Sequence, residues 1–222
     1  MNYLQLVSRL RQEAGVSGTG PSTVIGQTGE MQRLVDWVNW AYIDIQNADL
    51  EWRYLVGSFT LTLTPGQAAY TPAEAGISTR FARWLPKSIR LRLTGPGDER
   101  LLEPVSYDEY RSIYLTGPQP QSRPVAVSVT PDQKLAFGYL PNLAYTVYGE
   151  YIKTPQELTA DADEPEMPTQ FHSAIVYRAL MLYARYESAG EIYQDAYDNY
   201  RRIMSQLRND QGPTITLPES LV

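Results

Sequence analysis

The chain has no cysteine, a single histidine and only 4 phenylalanines in 222 residues. The first absence excludes disulfides, cysteine nucleophiles and thiolate metal sites, and it fits assembly in a reducing cytoplasm. A lone histidine cannot supply the usual two- or three-imidazole metal centre. Cations are also short: 19 Lys and Arg stand against 25 Asp and Glu, a net charge of −6. Gripping nucleic acid through its phosphates needs clustered Lys and Arg, so this balance is wrong for that task. It suits a surface past which DNA slides. No apolar run approaches the roughly 20 residues needed to cross a bilayer. The opening MNYLQLVSRLRQEAG is interrupted by Arg9 and Arg11 and followed by no small-residue cleavage site, so it does not read as a signal peptide.

Tyrosine, by contrast, occurs 17 times and proline 16 times. Tyrosine combines apolar area with a polar tip, which suits positions that are wet before assembly and dry afterwards. Some of these tyrosines belong on ordinary strand faces.

The spacing of apolar residues changes twice along the chain. Leu6, Val7, Leu10 and Ala14 predict a helix over 2–14. The Gly/Ser/Thr-rich stretch 15–29 is long for a structureless connection, and is expected to order against a partner. Met31, Leu34, Val35, Val38, Tyr42 and Ile45 form one stripe of a helix over 30–49 capped by Thr28, with Trp37 and Trp40 beside it or on another face. Alternation then takes over: Phe59, Leu61 and Leu63, later Ile89, Leu91 and Leu93, predict strands. Ser106 to Glu109 fits a capping box for a short helix over 107–114. Residues 123–154 read as three strands, joined by turns at Pro131-Asp132 and Pro141-Asn142. An antiparallel sheet is expected across roughly 55–153. The acidic stretch 155–168 reads as a connector, its DADEPE portion (161–166) as a solvated linker. Helices over 169–188 and 190–208 follow, broken near Gly190, and 209–222 is an extended arm. The expected class is therefore α+β: a bundle from 1–54 and 155–208, interrupted by a mainly antiparallel β insertion over 55–154.

The one histidine lies in MPTQFHSAIVYRALMLYARYE, residues 167–187. At about 100° per residue, Phe171, His172, Ile175, Val176, Ala179, Leu182, Tyr183 and Tyr186 fill one arc. Ala174, Tyr177, Leu180, Met181 and Ala184 lie on the other side, leaving only Arg178 and Arg185 as a charged stripe. A helix apolar nearly all round must be covered nearly all round. A neighbouring subunit is the expected cover for Tyr177, Leu180, Met181 and Ala184, and for Tyr193, Tyr197 and Tyr200 on the next helix. Catalysis by His172 would need a partner acid or nucleophile and an open pocket. Ser173 points away, and no Gly-x-Ser-x-Gly or His-Glu-x-x-His is present. A packed, hydrogen-bonded histidine is the expectation; a hydrolase using His172 with an acid from 157–166 is the remote alternative.

Other candidate chemistry is thin. DADEPE (161–166) is dense in carboxylates but lacks the spacing and glycine of a calcium loop. TGPGDE (94–99) has no Lys-Ser/Thr and no following helix, so it is a hairpin turn and not a phosphate cradle. RFARWLPKSIRLR (80–92) interleaves Arg with aromatics, as a DNA contact, an acidic-partner contact or a solvent-facing strand would. In the arm, Thr214, Ile215, Thr216 and Leu217 alternate between Pro213 and Pro218. Such a segment adds a strand to a foreign sheet edge or is a terminus without structure, and spacing does not separate these.

The stretch LPNLAYTVYGEYIKTPQELTADADEPEMPTQFHSAIVYRALMLYARYE, Leu140 to Glu187, resembles the head-to-tail adaptor proteins of tailed bacteriophages. The shared features are an aromatic strand ending in Lys-x-Pro, an acidic spacer, Pro-x-x-Pro-x-x-Phe-His opening an Ala/Tyr-rich helix, and a last helix with a tyrosine stripe. The N-terminal helices and β insertion agree. The resemblance implies a virion protein that forms a twelve-fold homo-oligomeric ring under the portal, continues the DNA channel without binding DNA specifically, and docks the tail. It implies no catalysis, no cofactor and no membrane. Acidic residues facing the bore would repel DNA phosphates. In that frame the β insertion faces the tail, with Arg90, Arg92, Gly95 and Pro96 as contacts. The arm, through Pro213, Ile215, Leu217 and Leu221, reaches the portal. A neck or tail-completion protein meeting the tail alone is the alternative.

Overall fold

A computed structural model describes residues 1–48 and 52–212. Its helices are α1 (Tyr3–Glu13), α2 (Gly29–Asn47), α3 (Tyr107–Tyr114), α4 (Ser173–Tyr186) and α5 (Gly190–Gln211). Its strands are β1 (Val56–Thr62), β2 (Ala69–Tyr70), β3 (Phe81–Arg92), β4 (Arg100–Leu101), β5 (Glu103–Pro104), β6 (Gln121–Ser122), β7 (Ala126–Val129), β8 (Leu135–Gly138), β9 (Leu140–Pro141) and β10 (Thr146–Lys153). The class is α+β, with helices at both ends and strands between them. Two compact units result, one from Met1–Leu55 with Pro155–Val222, the other Val56–Thr154.

In the helical unit, α4 packs against α1, α2 and α5. Its apolar circumference follows from that central position. Leu180 is 5% exposed, Met181 4% and Ala184 1% within the single chain. The expectation that a neighbouring subunit covers these three is corrected: α1, α2 and α5 of the same chain leave no room for one. α1 starts at a reciprocal capping box between Asn2 and Gln5 and buries Tyr3, Leu6, Val7 and Leu10. The turn between α4 and α5 is made by Ser188 and not by Gly190. Ser188 has φ +57°, and Ala189 N–H reaches back to Ala184 O at 2.9 Å, the hydrogen bond of a Schellman cap. α5 continues to Gln211, past the expected end at 208.

The acidic connector 155–168 is pinned to the helices on both sides of 161–166, whose Ala162, Glu164 and Glu166 stay exposed. Leu158 and Met167 are buried. Buried Gln46 donates to Gln156 O and accepts from Gln156 N, while Asn39 accepts from Leu158 N. Asp161 accepts from Val24 N–H and the Thr23 hydroxyl. Arg11 donates to the carbonyls of Val16 and Gly18. The 15–29 loop is therefore held by hydrogen bonds within its own chain at Val16, Gly18, Thr23 and Val24.

The second unit holds two four-stranded sheets, β1-β10-β3-β4 and β2-β8-β7-β5, and a small β6-β9 pair. One antiparallel sheet was expected. Two arise because β8 pairs with β7 while β10 pairs with β1 and β3, so the Pro141-Asn142 segment links sheets instead of closing a hairpin. The β5–β7 and β6–β9 pairs are parallel. Phe59, Leu61, Ile89, Leu91 and Val147 of the first sheet share a core with Val127, Leu135 and Phe137 of the second. Leu93 stays exposed. Gly149 sits opposite Phe59, and a Cβ there would lie 2.7 Å from the Phe59 ring. The register slips between Tyr148 and Glu150. There the Ser88 hydroxyl accepts from Glu150 N–H and donates to Leu85 O. Val56 pairs with Ile152, so the chain enters and leaves this unit on adjacent strands.

Candidate interaction surfaces

His172 is fully buried at the N-terminus of α4. Both ring nitrogens are engaged: Nε2–H donates to Met167 O at 2.8 Å, and Nδ1 accepts from the Met1 amino group at 2.8 Å. Burial, and then the positive amino group, hold its pKa below the ordinary histidine value, against the opposing pull of the Met167 carbonyl. The imidazole is a neutral peg joining the chain's start to α4, with no nitrogen left for a substrate. Of the acids proposed to assist it, Asp161 and Asp163 are engaged with backbone N–H groups, and Glu157, Glu164 and Glu166 are exposed while His172 is fully buried. The Asp163 carboxylate accepts from Ala160 and Thr159 N–H, and those bonds hold its pKa below the usual range. Among the described residues no three His, Asp or Glu side chains converge on a metal position.

The expected interface residues separate in space. Tyr177, Tyr193 and Tyr200 are half-buried and Tyr197 is exposed, so these four remain at the surface. Tyr193 and Tyr197 stack with nearly parallel rings along one side of α5. Arg90 and Arg92 lie on the outward face of the β1-β10-β3-β4 sheet. Arg92 rests on the Tyr148 ring, 4.5 Å from its centroid, and Arg90 pairs with Glu99 at 3.2 Å. Arg90, with Ser58, Thr60, Ser88 and Tyr148, borders an open depression of about 450 Å³. Gly95 lies at the turn following β3, next to the short helical turn that begins at Pro96. Pro213, Ile215, Leu217 and Leu221 lie outside the described residues.

An aromatic seam between α2 and α4 was missing from the sequence reading. Trp37 packs edge-on against Tyr183 and obliquely on Tyr186, and Arg33 lies 4.5 Å over the Tyr186 ring. Asp44 pairs with Arg178 at 2.7 Å one end further along. At its edge Tyr186 is 55% exposed, and Trp40, three residues after Trp37 on α2, is 56% exposed. The signal was present in the wheel: Trp40 falls off the buried stripe of α2.

A family model described as SU10 adaptor protein matches residues 1–217. Among curated proteins none matches the chain.

Proposed function

The chain belongs to the SU10 adaptor protein family, and from that premise we propose that it forms the ring joining a phage head to its tail. The coarse role is that of a structural component of a bacteriophage virion. In the proposed assembly, twelve copies stack under the portal, continue the DNA channel and offer the tail a docking surface. The helical unit makes the contacts between copies. The β unit turns to the tail, with Arg90 and Arg92 on its outer sheet face. The arm carrying Pro213, Ile215, Leu217 and Leu221 reaches the portal. Acidic side chains line the bore, where they keep DNA from adhering. Assembly takes place in the host cytoplasm.

The observation that carries this reading is a family match that spans nearly the whole chain. The engaged, buried state of His172 supports it from the other side, because the chain's single histidine is spent on packing. The test is to mix the purified chain with its cognate portal and image the product. A stacked twelve-fold ring is the expected outcome. Binding to purified tail and not to portal would replace the reading with that of a tail-completion protein.

A further inference from the structure

A strand at the edge of a sheet leaves a row of backbone N–H and C=O groups without a neighbour. Proteins shield such edges by keeping them short or by placing charge, proline or a bulge on them. Most edges of the β unit follow that rule. β2, β4, β5, β6 and β9 are two residues long. The part of β3 that β4 does not cover carries Arg83, Pro86 and Lys87, and its register slips. β1 is the exception. It is a seven-residue edge strand, VGSFTLT, with no charge, no proline and an unbroken register.

The hydrogen bonds show which of its groups face outward. Leu63 N–H donates to Tyr145 O at 2.8 Å, one pair beyond the β1–β10 register. Bonded and non-bonded pairs alternate along an antiparallel ladder. Gly57, Phe59 and Leu61 therefore turn their backbone groups to β10, while Ser58, Thr60 and Thr62 turn theirs away. At the next outward position the edge is closed from within: the Tyr70 hydroxyl accepts from Thr64 N–H at 2.6 Å and donates to Thr64 O at 3.2 Å. Ser58, Thr60 and Thr62 lack that closure. All three are exposed, and among the described residues no partner meets their N–H and C=O groups. Donors and acceptors in this spacing are the complement of an incoming strand.

The side chains beside the edge say which strand fits. Phe59 and Leu61 face the core, so apolar residues of an added strand extend that face. Ser58 and Thr60 face the open depression, opposite Glu150 and Tyr148. Within the depression Arg90 and Glu99 satisfy each other. The exposed Glu150 carboxylate has no partner among the described residues. It stands two strand spacings, about 10 Å, from an added strand, a span that a Lys or Arg and the glutamate close between them.

We propose that the free edge of β1 takes a strand from the tail: an extended segment of the tail protein with alternate apolar residues and a Lys or Arg beside Ser58. The backbone supplies the pairing, and Glu150 sets the register through charge. This rests on the reading above that the β unit meets the tail, and gives that contact its chemistry.

The test is residue-resolved hydrogen exchange on the free chain, on the portal-mounted ring, and on that ring after purified cognate tail is added. The amides of Ser58, Thr60 and Thr62 are expected to exchange freely in the first two states and to slow at least about ten-fold in the third. Phe59 and Leu61, already bonded to β10, are expected to change little. Protection of the three amides before tail is added means that this chain or another copy fills the edge, and overturns the proposal. Tail that seats while they still exchange freely overturns it too and leaves the adaptor reading standing. Tail that does not bind the ring overturns the assignment of the β unit to the tail together with this one. Thr60→Pro removes an N–H that faces away from β10, a position where edge strands tolerate proline. It is expected to melt like wild type and to weaken tail attachment about ten-fold, as is Glu150→Lys, which leaves the backbone intact. Folded variants that hold the tail as tightly as wild type overturn the proposal.

Discussion

Single residues carry more of this structure than their numbers suggest. His172 is neutral when folded, because burial and the Met1 amino group oppose a second positive charge. In the unfolded chain the same imidazole titrates at about 6.5. A lowered folded pKa means that the unfolded state binds more protons as pH falls below that value. Stability is then fully present above it and is lost on acidification toward the folded pKa. Thermal melts of wild type and His172→Gln at pH 7.5 and 5.5 check this: the wild type is expected to lose more on acidification. Ser188 shows the opposite opportunity. Its left-handed backbone strains any residue with a Cβ, so Ser188→Gly is expected to stabilise by about 1 kcal/mol in chemical denaturation.

Elements were read from the sequence with uneven success, for physical reasons. Alternation revealed β1 and the second half of β3, and helical spacing revealed α1 and α2. Periodicity measures how much of a helix must be covered, not what covers it. The circumference of α4 thus pointed to a foreign subunit, whereas α1, α2 and α5 do the covering. The 155–168 segment was legible in part: Glu164 and Glu166 are exposed as expected, but composition did not show that Leu158 and Met167 bury themselves or that Asp161 holds the backbone at Val24. The surface tyrosines of α5 were legible because they stand on a clear stripe. The seam of Trp37 with Tyr183 and Tyr186 was not, because it joins two elements distant in sequence. Asp161→Ala should release the loop at Thr23 and Val24, at a cost of about 1–3 kcal/mol for the orphaned donors. Faster amide exchange at Val24 would register it.

At the scale of the whole molecule, separate cores should respond separately. Gly149→Ala drives a methyl group into the Phe59 ring and toward Ile89, an overpacking expected to cost about 1–3 kcal/mol. Hydrogen exchange should quicken in β1, β3 and β10, while α1, α2 and α4 keep wild-type protection. Uniform loss of protection would mean that the two units unfold as one.

The pairing of Val56 with Ile152 has a consequence for how such proteins diversify. Strands so paired bring the two junctions within about 5 Å of each other, as close as the lips of a buttonhole. Any replacement cassette with equally near ends can be stitched in there without re-threading the host helices. In the orientation proposed above, tail specificity could then be exchanged wholesale, like a tool bit, while the contacts of the helices are inherited unchanged.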